Sequence, residues 1–184
     1  MRNRIVASAV LGTALLLVGF VTPASAQTPG ATVGAGISFL NSGDAEATGI
    51  GFTLDVAKDV KALGSKAQLG IVGDFGWHSF SAEDDNLLFE DVSTLTLMGG
   101  ARVSFDAGAK VRPFGQFLIG MMNFSPEESD SDTELAYAPG FGVDIKLNEK
   151  VAIRGQIDFV IADTEGESSN FTRYWFGVSF GVGK

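Results

Sequence analysis

Cysteine is absent from this 184-residue chain, and histidine occurs once, at position 78. Without thiols there is no disulfide framework, no iron–sulfur or thiolate–zinc centre, no cysteine nucleophile and no attachment point for a lipoprotein's lipid. A lone imidazole excludes a multi-histidine metal site. Basic residues are scarce as well, with 13 Lys and Arg against 22 Asp and Glu and a formal charge of −9. That balance excludes nucleic acid as a partner, because phosphate binding needs a basic face. Long apolar runs are missing beyond Val21, so no later segment can cross a membrane as a helix. Yet 45% of the residues are hydrophobic and mean hydropathy is +0.21, which is high for so acidic a chain.

Part of that hydrophobicity sits at the start. Arg2 and Arg4 precede an apolar stretch from Ile5 to Val21, followed by Pro23 and the small-residue site Ala24-Ser25-Ala26. This order predicts a secretory signal peptide over 1–26, cleaved to leave a domain over 27–184. An uncleaved membrane anchor is the alternative. Loss of the leader removes two arginines and no acid, so the charge becomes −11.

The remainder alternates with period two, which a helix cannot accommodate. Val33, Ala35, Ile37 and Phe39 alternate with Gly34, Gly36 and Ser38; Ile50, Phe52, Leu54 and Val56 alternate with Gly51, Thr53 and Asp55. Six further runs follow, around 69–77, 94–105, 111–122, 135–146, 151–159 and 173–183. Eight strands of roughly 9–13 residues exceed the usual soluble strand and suit a tilted bilayer crossing. Connections at 58–66, 106–110 and 147–150 alternate with connections at 41–46, 81–91, 125–134 and 162–170, predicting short turns at one pole and mostly longer loops at the other. The expectation is an all-β, eight-stranded antiparallel up-and-down transmembrane barrel.

The polar face is rich in Gly and carries isolated charges, whereas a soluble surface would offer many more Lys and Glu. Small residues with a few balanced charges suit the inside of an eight-stranded barrel. Asp74, Arg102, Arg112, Gln116, Asp144, Arg154, Asp158 and Arg173 are therefore expected to form an interior charge network of structural role, with Phe114, Leu118, Met122 and Trp175 filling the lumen. Phe39, Trp77, Tyr137, Phe159 and Tyr174 are expected in one interfacial girdle, and Phe105 and Phe180 in the other. The four loop-pole connections carry most of the acids and no Lys or Arg, while the lysines gather at the opposite pole.

The runs Val111-Arg112-Pro113-Phe114-Gly115-Gln116-Phe117-Leu118-Ile119-Gly120, Ala138-Pro139-Gly140-Phe141-Gly142-Val143-Asp144-Ile145-Lys146-Leu147 and Val151-Ala152-Ile153-Arg154-Gly155-Gln156-Ile157-Asp158-Phe159 resemble the eight-stranded outer-membrane barrel family. That group contains OmpA-like transmembrane domains, OmpX-like and opacity-type proteins. The resemblance spans 27–184. It implies a Gram-negative outer-membrane location, insertion by the barrel-assembly machinery, surroundings of outer-membrane lipid and lipopolysaccharide, and termini in the periplasm. Members usually end on an aromatic residue, whereas this chain ends on Lys184.

Catalytic, cofactor and metal residues are not expected. His78 lies on the opposite strand face from Ser79 and Ser81, so neither serine is its natural partner. It reads as a girdle or rim histidine. Asp130, Asp132 and Glu134 alternate, and if extended could hold a hard divalent cation; a solvated loop is the plainer reading. Three functions remain open. The first is a monomeric, non-enzymatic barrel serving envelope integrity or surface interaction, without a wide pore. The second is a soluble lipocalin-like barrel binding a hydrophobic ligand, and the third is a lipid-modifying enzyme. No surface ligand is named by the sequence.

Overall fold

The computed structural model describes residues 31–43, 47–80, 92–106, 110–126, 131–164 and 167–182. The leader predicted over 1–26 and the acidic residue Asp130 lie outside them. Eight strands follow in order: β1 Ala31–Ser42, β2 Ala47–Ala62, β3 Ala67–Phe80, β4 Val92–Phe105, β5 Val111–Pro126, β6 Asp132–Lys146, β7 Val151–Thr164 and β8 Glu167–Val182. Each pairs antiparallel with the next, and β8 returns to β1 to close the barrel. Closure leaves no unpaired sheet edge, the condition for a β-structure in lipid.

The alternation divides the sheet as period two requires. Ile37, Ile50, Phe117, Phe141, Ile153 and Phe176 stand on the outer wall, each about half exposed. Asp55, Asp74, Arg102, Asp144, Arg154, Asp158 and Arg173 are buried inside. An apolar outside around a charged inside inverts the soluble arrangement and fits a wall facing lipid. Among the girdle aromatics, Phe39 lies opposite Tyr174, and Trp77 lies opposite Phe52 with ring centroids 6.0 Å apart.

Strand length departs from the sequence reading. The strands run to 12–16 residues and continue into segments expected as loops. Asp132, Glu134, Asp163 and Glu167 lie on strands, so the expected loops at 125–134 and 162–170 shorten to 127–131 and 165–166. The loop-pole connections at 43–46 and 165–166 are as short as the turns at 63–66 and 147–150. The physical reason is that alternation marks only the stretch that lipid covers. Above it the outer face meets water, so ladder hydrogen bonds continue without an apolar outer face to mark them.

Towards the loop pole Leu40, Met122, Ala136, Ala138, Val160, Ala162 and Phe171, with Phe80 and Phe124 packed against them, belong to an apolar cluster that continues through Leu118 and Met98 to Val72 and Ala57. Register places this cap, since Phe171 faces Ser42 at the end of β1 and Phe124 faces Asp132 at the start of β6. On β2 and β3 the charges Asp55 and Asp74 lie on the loop-pole side of Ala57 and Val72, so charged and apolar side chains share the lumen.

Candidate functional site

The charges inside the barrel assemble into two groups joined by an amide. In the first, Asp55 on β2 accepts from two guanidiniums through a single oxygen. Arg102 Nη2 on β4 reaches Asp55 Oδ2 at 2.6 Å, and Arg154 Nη1 on β7 reaches the same atom at 2.5 Å. Arg154 also makes a forked pair with Asp144 on the neighbouring β6, Nε to Oδ1 at 2.6 Å and Nη2 to Oδ2 at 2.9 Å. Bidentate pairing of this kind is the strongest form of the interaction. The Phe114 ring lies under both cations, 4.4 Å from Arg102 Cζ and 4.9 Å from Arg154 Cζ, and Trp175 flanks Arg154 at 5.3 Å. Two of the expected lumen fillers, Phe114 and Trp175, are thus packing partners of the charges, while Leu118 and Met122 belong to the apolar cluster. At formal charges this group is balanced, with two carboxylates and two guanidiniums.

In the second group Arg173 on β8 donates through Nε and Nη2 to Asp158 Oδ2 at 3.0 and 2.8 Å, and through Nη1 to Asp74 Oδ1 on β3 at 2.7 Å. Two carboxylates share one guanidinium, so this group carries one formal negative charge. Gln116 joins the groups: its Oε1 accepts from Arg102 at 2.9 and 2.7 Å, and its Nε2 donates to Asp158 Oδ1 at 2.9 Å. Gln156 Nε2 completes Asp158 with a bond of 2.8 Å to Oδ2. Paired, hydrogen-bonded charges are the form in which ions can be buried.

Seven of the eight residues expected in the interior network meet in this assembly. Arg112 does not join it. Arg112 faces Asp144 in register, yet its Nη2 pairs with Asp59 across the turn-pole mouth at 2.7 Å, with Gln68 Oε1 at 3.3 Å. Asp55, legible in the sequence as one of the isolated charges of the polar face but not as a member of the expected network, is the hub. Its position on the polar face of β2 was visible; what pairs across a lumen is invisible to per-strand periodicity. Asp59 and Gln156 were missed for the same reason.

His78 is not at a girdle or rim. It points inward, wholly buried, where Ser38 Oγ lies 2.8 Å from its Nε2. Thr53 Oγ1 donates to Ser38 Oγ at 2.9 Å, which leaves the serine proton for the imidazole. The serine beside His78 is therefore Ser38 on β1, and neither Ser79 nor Ser81. Asp132 and Glu134 stand at the loop-pole mouth on β6, so two of the three expected cation contacts sit on a strand wall. The backbone carbonyl of Asp132 accepts from Asn123 Nδ2 at 3.1 Å.

A family model described as "Outer membrane protein beta-barrel domain" matches residues 11–183. No curated protein matches the sequence. Among solved structures, the chain is similar to Ail, the attachment invasion locus protein of Yersinia pestis, at 16% identity and TM-score 0.54, covering 83% of this chain and 97% of that one. Ail has also been solved in complex with the heparin analogue sucrose octasulfate. Neisserial surface protein A is similar at 12% identity and TM-score 0.58, covering 83% and 96%. OprG from Pseudomonas aeruginosa is similar at 10% identity and TM-score 0.55, covering 85% and 97%. At these identities the likeness is one of fold.

Proposed function

Because this chain belongs to the outer membrane protein beta-barrel domain family, we propose that it is a small non-enzymatic barrel of the Gram-negative outer membrane. In this reading it is exported on the leader over 1–26, inserted by the barrel-assembly machinery, and works as a monomer among outer-membrane lipid and lipopolysaccharide. Its role is envelope integrity or surface interaction through the acidic pole, with no wide pore.

One observation supports this above the others. The lumen is filled along its length, by the apolar cluster that runs from Leu40 and Phe171 to Val72 and Ala57 and by the ion-paired groups packed with it. Eight strands leave room for side chains and little more. His78 and Ser38 are sealed within the same interior, which disfavours substrate access and hence the lipid-modifying alternative. With the inside occupied, the chemistry left for partners lies at the loop pole. The ligand solved with Ail is a polyanion, and the loop-pole acids here would repel such a molecule. A cationic or cation-bridged partner suits this chain better, with Asp130, Asp132 and Glu134 as the oxygen donors to a bridging divalent ion.

Three measurements test the reading. In planar bilayers the folded protein should give no porin-sized conductance steps; such steps would overturn it. Cell fractionation should find it in outer membranes with heat-modifiable gel mobility. Folded protein wholly soluble without detergent would favour the lipocalin-like barrel. Deletion within 81–91, assayed for adhesion and stress sensitivity, separates a surface role from a purely structural one.

A further inference from the structure

The turn pole carries a charge pattern opposite to that of the loop pole, built from side chains that are exposed at Lys61, Lys66, Lys110 and Lys150 and half-buried at Lys58 and Lys146. Lys58, Lys61, Lys66, Lys110, Lys146 and Lys150 all lie there. Of the acids at this pole, Asp59 is turned inward and held by Arg112, and Asp106 lies 3.8 Å from Lys146. Glu149 is the remaining one among the described residues. The connections at 43–46, 81–91, 127–131 and 165–166 contain no Lys or Arg at all.

The lysines are not a uniform fringe. Three belong to the β2–β3 hairpin, whose tip also exposes Val60 and Leu63, each 46% accessible. The tip is held in shape: Leu63 N donates to Ala67 O at 2.8 Å, Gly64 takes the left-handed turn position with φ of 107°, and Asp106 N donates to Lys66 O at 2.8 Å. Lys58 lies on the outer wall opposite Ile71, which is 52% exposed on the apolar band. A lysine at that level reaches its ammonium towards the headgroups while its stem stays in the band. Half-exposed Val and Leu among lysines at the edge of a lipid-facing wall form an interfacial surface. A soluble polyanion would match the lysines and leave Val60 and Leu63 unexplained.

We propose that the turn-pole rim, centred on the β2–β3 hairpin, binds the anionic headgroups of phosphatidylglycerol-class phospholipids in the leaflet on that side of the membrane. The phosphodiester takes Lys58, Lys61 and Lys66, and Val60 and Leu63 enter the acyl boundary beside it. The charge poles then make the barrel's two leaflet contacts chemically different. The proposal rests on the membrane placement of the barrel and is independent of any role for the loop-pole acids.

Spin-labelled lipid association with the full folded protein in phosphatidylcholine vesicles provides the test. Labelled phosphatidylglycerol should be motionally restricted in preference to labelled phosphatidylcholine by at least threefold, against about fivefold for one lysine near an anionic surface. The preference should weaken as salt rises from low to molar concentration. K58Q/K61Q/K66Q, folded by the heat-modifiability criterion, should bring the ratio towards one, whereas K110Q/K150Q should leave most of it. Equal association of the two lipids in the wild type, or a ratio unmoved by salt and by the triple variant, would overturn the proposal. So would soluble polyglutamate displacing the labelled lipid as well as excess phosphatidylglycerol does, which would point to an acidic macromolecule. Failure of the folded protein to float with vesicles would instead sink the membrane reading on which the proposal stands.

Discussion

Asp55 and Asp74 face each other directly across β2 and β3, both buried and both salt-bridged, so side-chain environment alone ranks them equal. Their groups do not. Asp55 belongs to the balanced group, and its Oδ2 is the sole carboxylate contact of Arg102, whose remaining acceptor is the Gln116 amide. In D55N two ion-paired bonds become bonds from a guanidinium to a neutral amide oxygen. Each is worth on the order of 1.5–3 kcal/mol, and Arg154 keeps its forked pair with Asp144. Leaving Arg102 without a counter-charge in the interior then costs about 3 kcal/mol, the lower end of what breaking a buried pair costs. Asp74 belongs to the group with one carboxylate in excess. D74N leaves Arg173 balanced by Asp158, relieves the like-charge juxtaposition with Asp55, and keeps an amide oxygen for Arg173 Nη1. Its cost should be within about 1 kcal/mol of zero. Urea unfolding of the protein folded in lipid bilayers, followed by tryptophan fluorescence, measures both. With a slope on the order of 1–3 kcal/mol per molar, D55N should lower the midpoint by about 1–3 M and D74N should barely move it. D55N/R102Q should recover part of the loss, since the orphaned cation is gone. Equal costs for D55N and D74N, or D74N as the more damaging, would refute the assignment of net charge to separate groups.

Phe114 lies under two desolvated guanidiniums, so F114L should destabilise by about 2–3 kcal/mol beyond its packing change, read in the same unfolding assay. R112Q should cost less than about 1 kcal/mol, because its pair with Asp59 is 16–18% exposed and replaceable by water, whereas R102Q should exceed it severalfold. Gly36 and Gly177 face each other on the closing β1–β8 seam, and a Cβ on either would run into the partner strand's backbone, at Phe176 O and Ala35 O respectively. G36V should therefore abolish the heat-modifiable band, while G155A, whose Cβ meets nothing nearer than the Phe176 ring at 3.8 Å, should fold normally. Brominated lipid should quench Trp77, 38% exposed on the girdle, and spare the buried Trp175; W77F should then lose nearly all quenching.

The fold was legible because period two survives wherever one face meets lipid: Ile50-Gly51-Phe52-Thr53-Leu54-Asp55 can be nothing but a two-faced strand. Legibility ended where that solvent contrast ended. Asp132 and Glu134 are acids on a strand beyond the lipid-covered band, where an acidic run carries the composition of a loop and no apolar face to contradict it. Leu118 and Met122 interrupted the polar face of β5 and were read as plugs; that they are capped by Leu40, Val160 and Phe171 is a fact about neighbours round the wall, which only register supplies. The network was legible as a set of charges and not as pairs. Arg102 meets Asp55 across two strands, and Arg112 passes over its register neighbour Asp144 for Asp59.

Two of the interior bonds, Arg154 to Asp55 and Arg173 to Asp74, join residues 99 positions apart. A sheet growing from β1 towards β8 holds Asp74 from its third strand onward, yet its partner Arg173 arrives only with the eighth, whereas Asp55 meets Arg102 on β4 and gains Arg154 with β7. Until β8 docks, the unfinished wall carries Asp74 without its counter-ion, a condition tolerable in contact with water and costly in hydrocarbon. Burial of Asp74 in a lipid-covered wall and completion of the circle should therefore be energetically tied, because the charge that makes Asp74 tolerable there comes with the last strand.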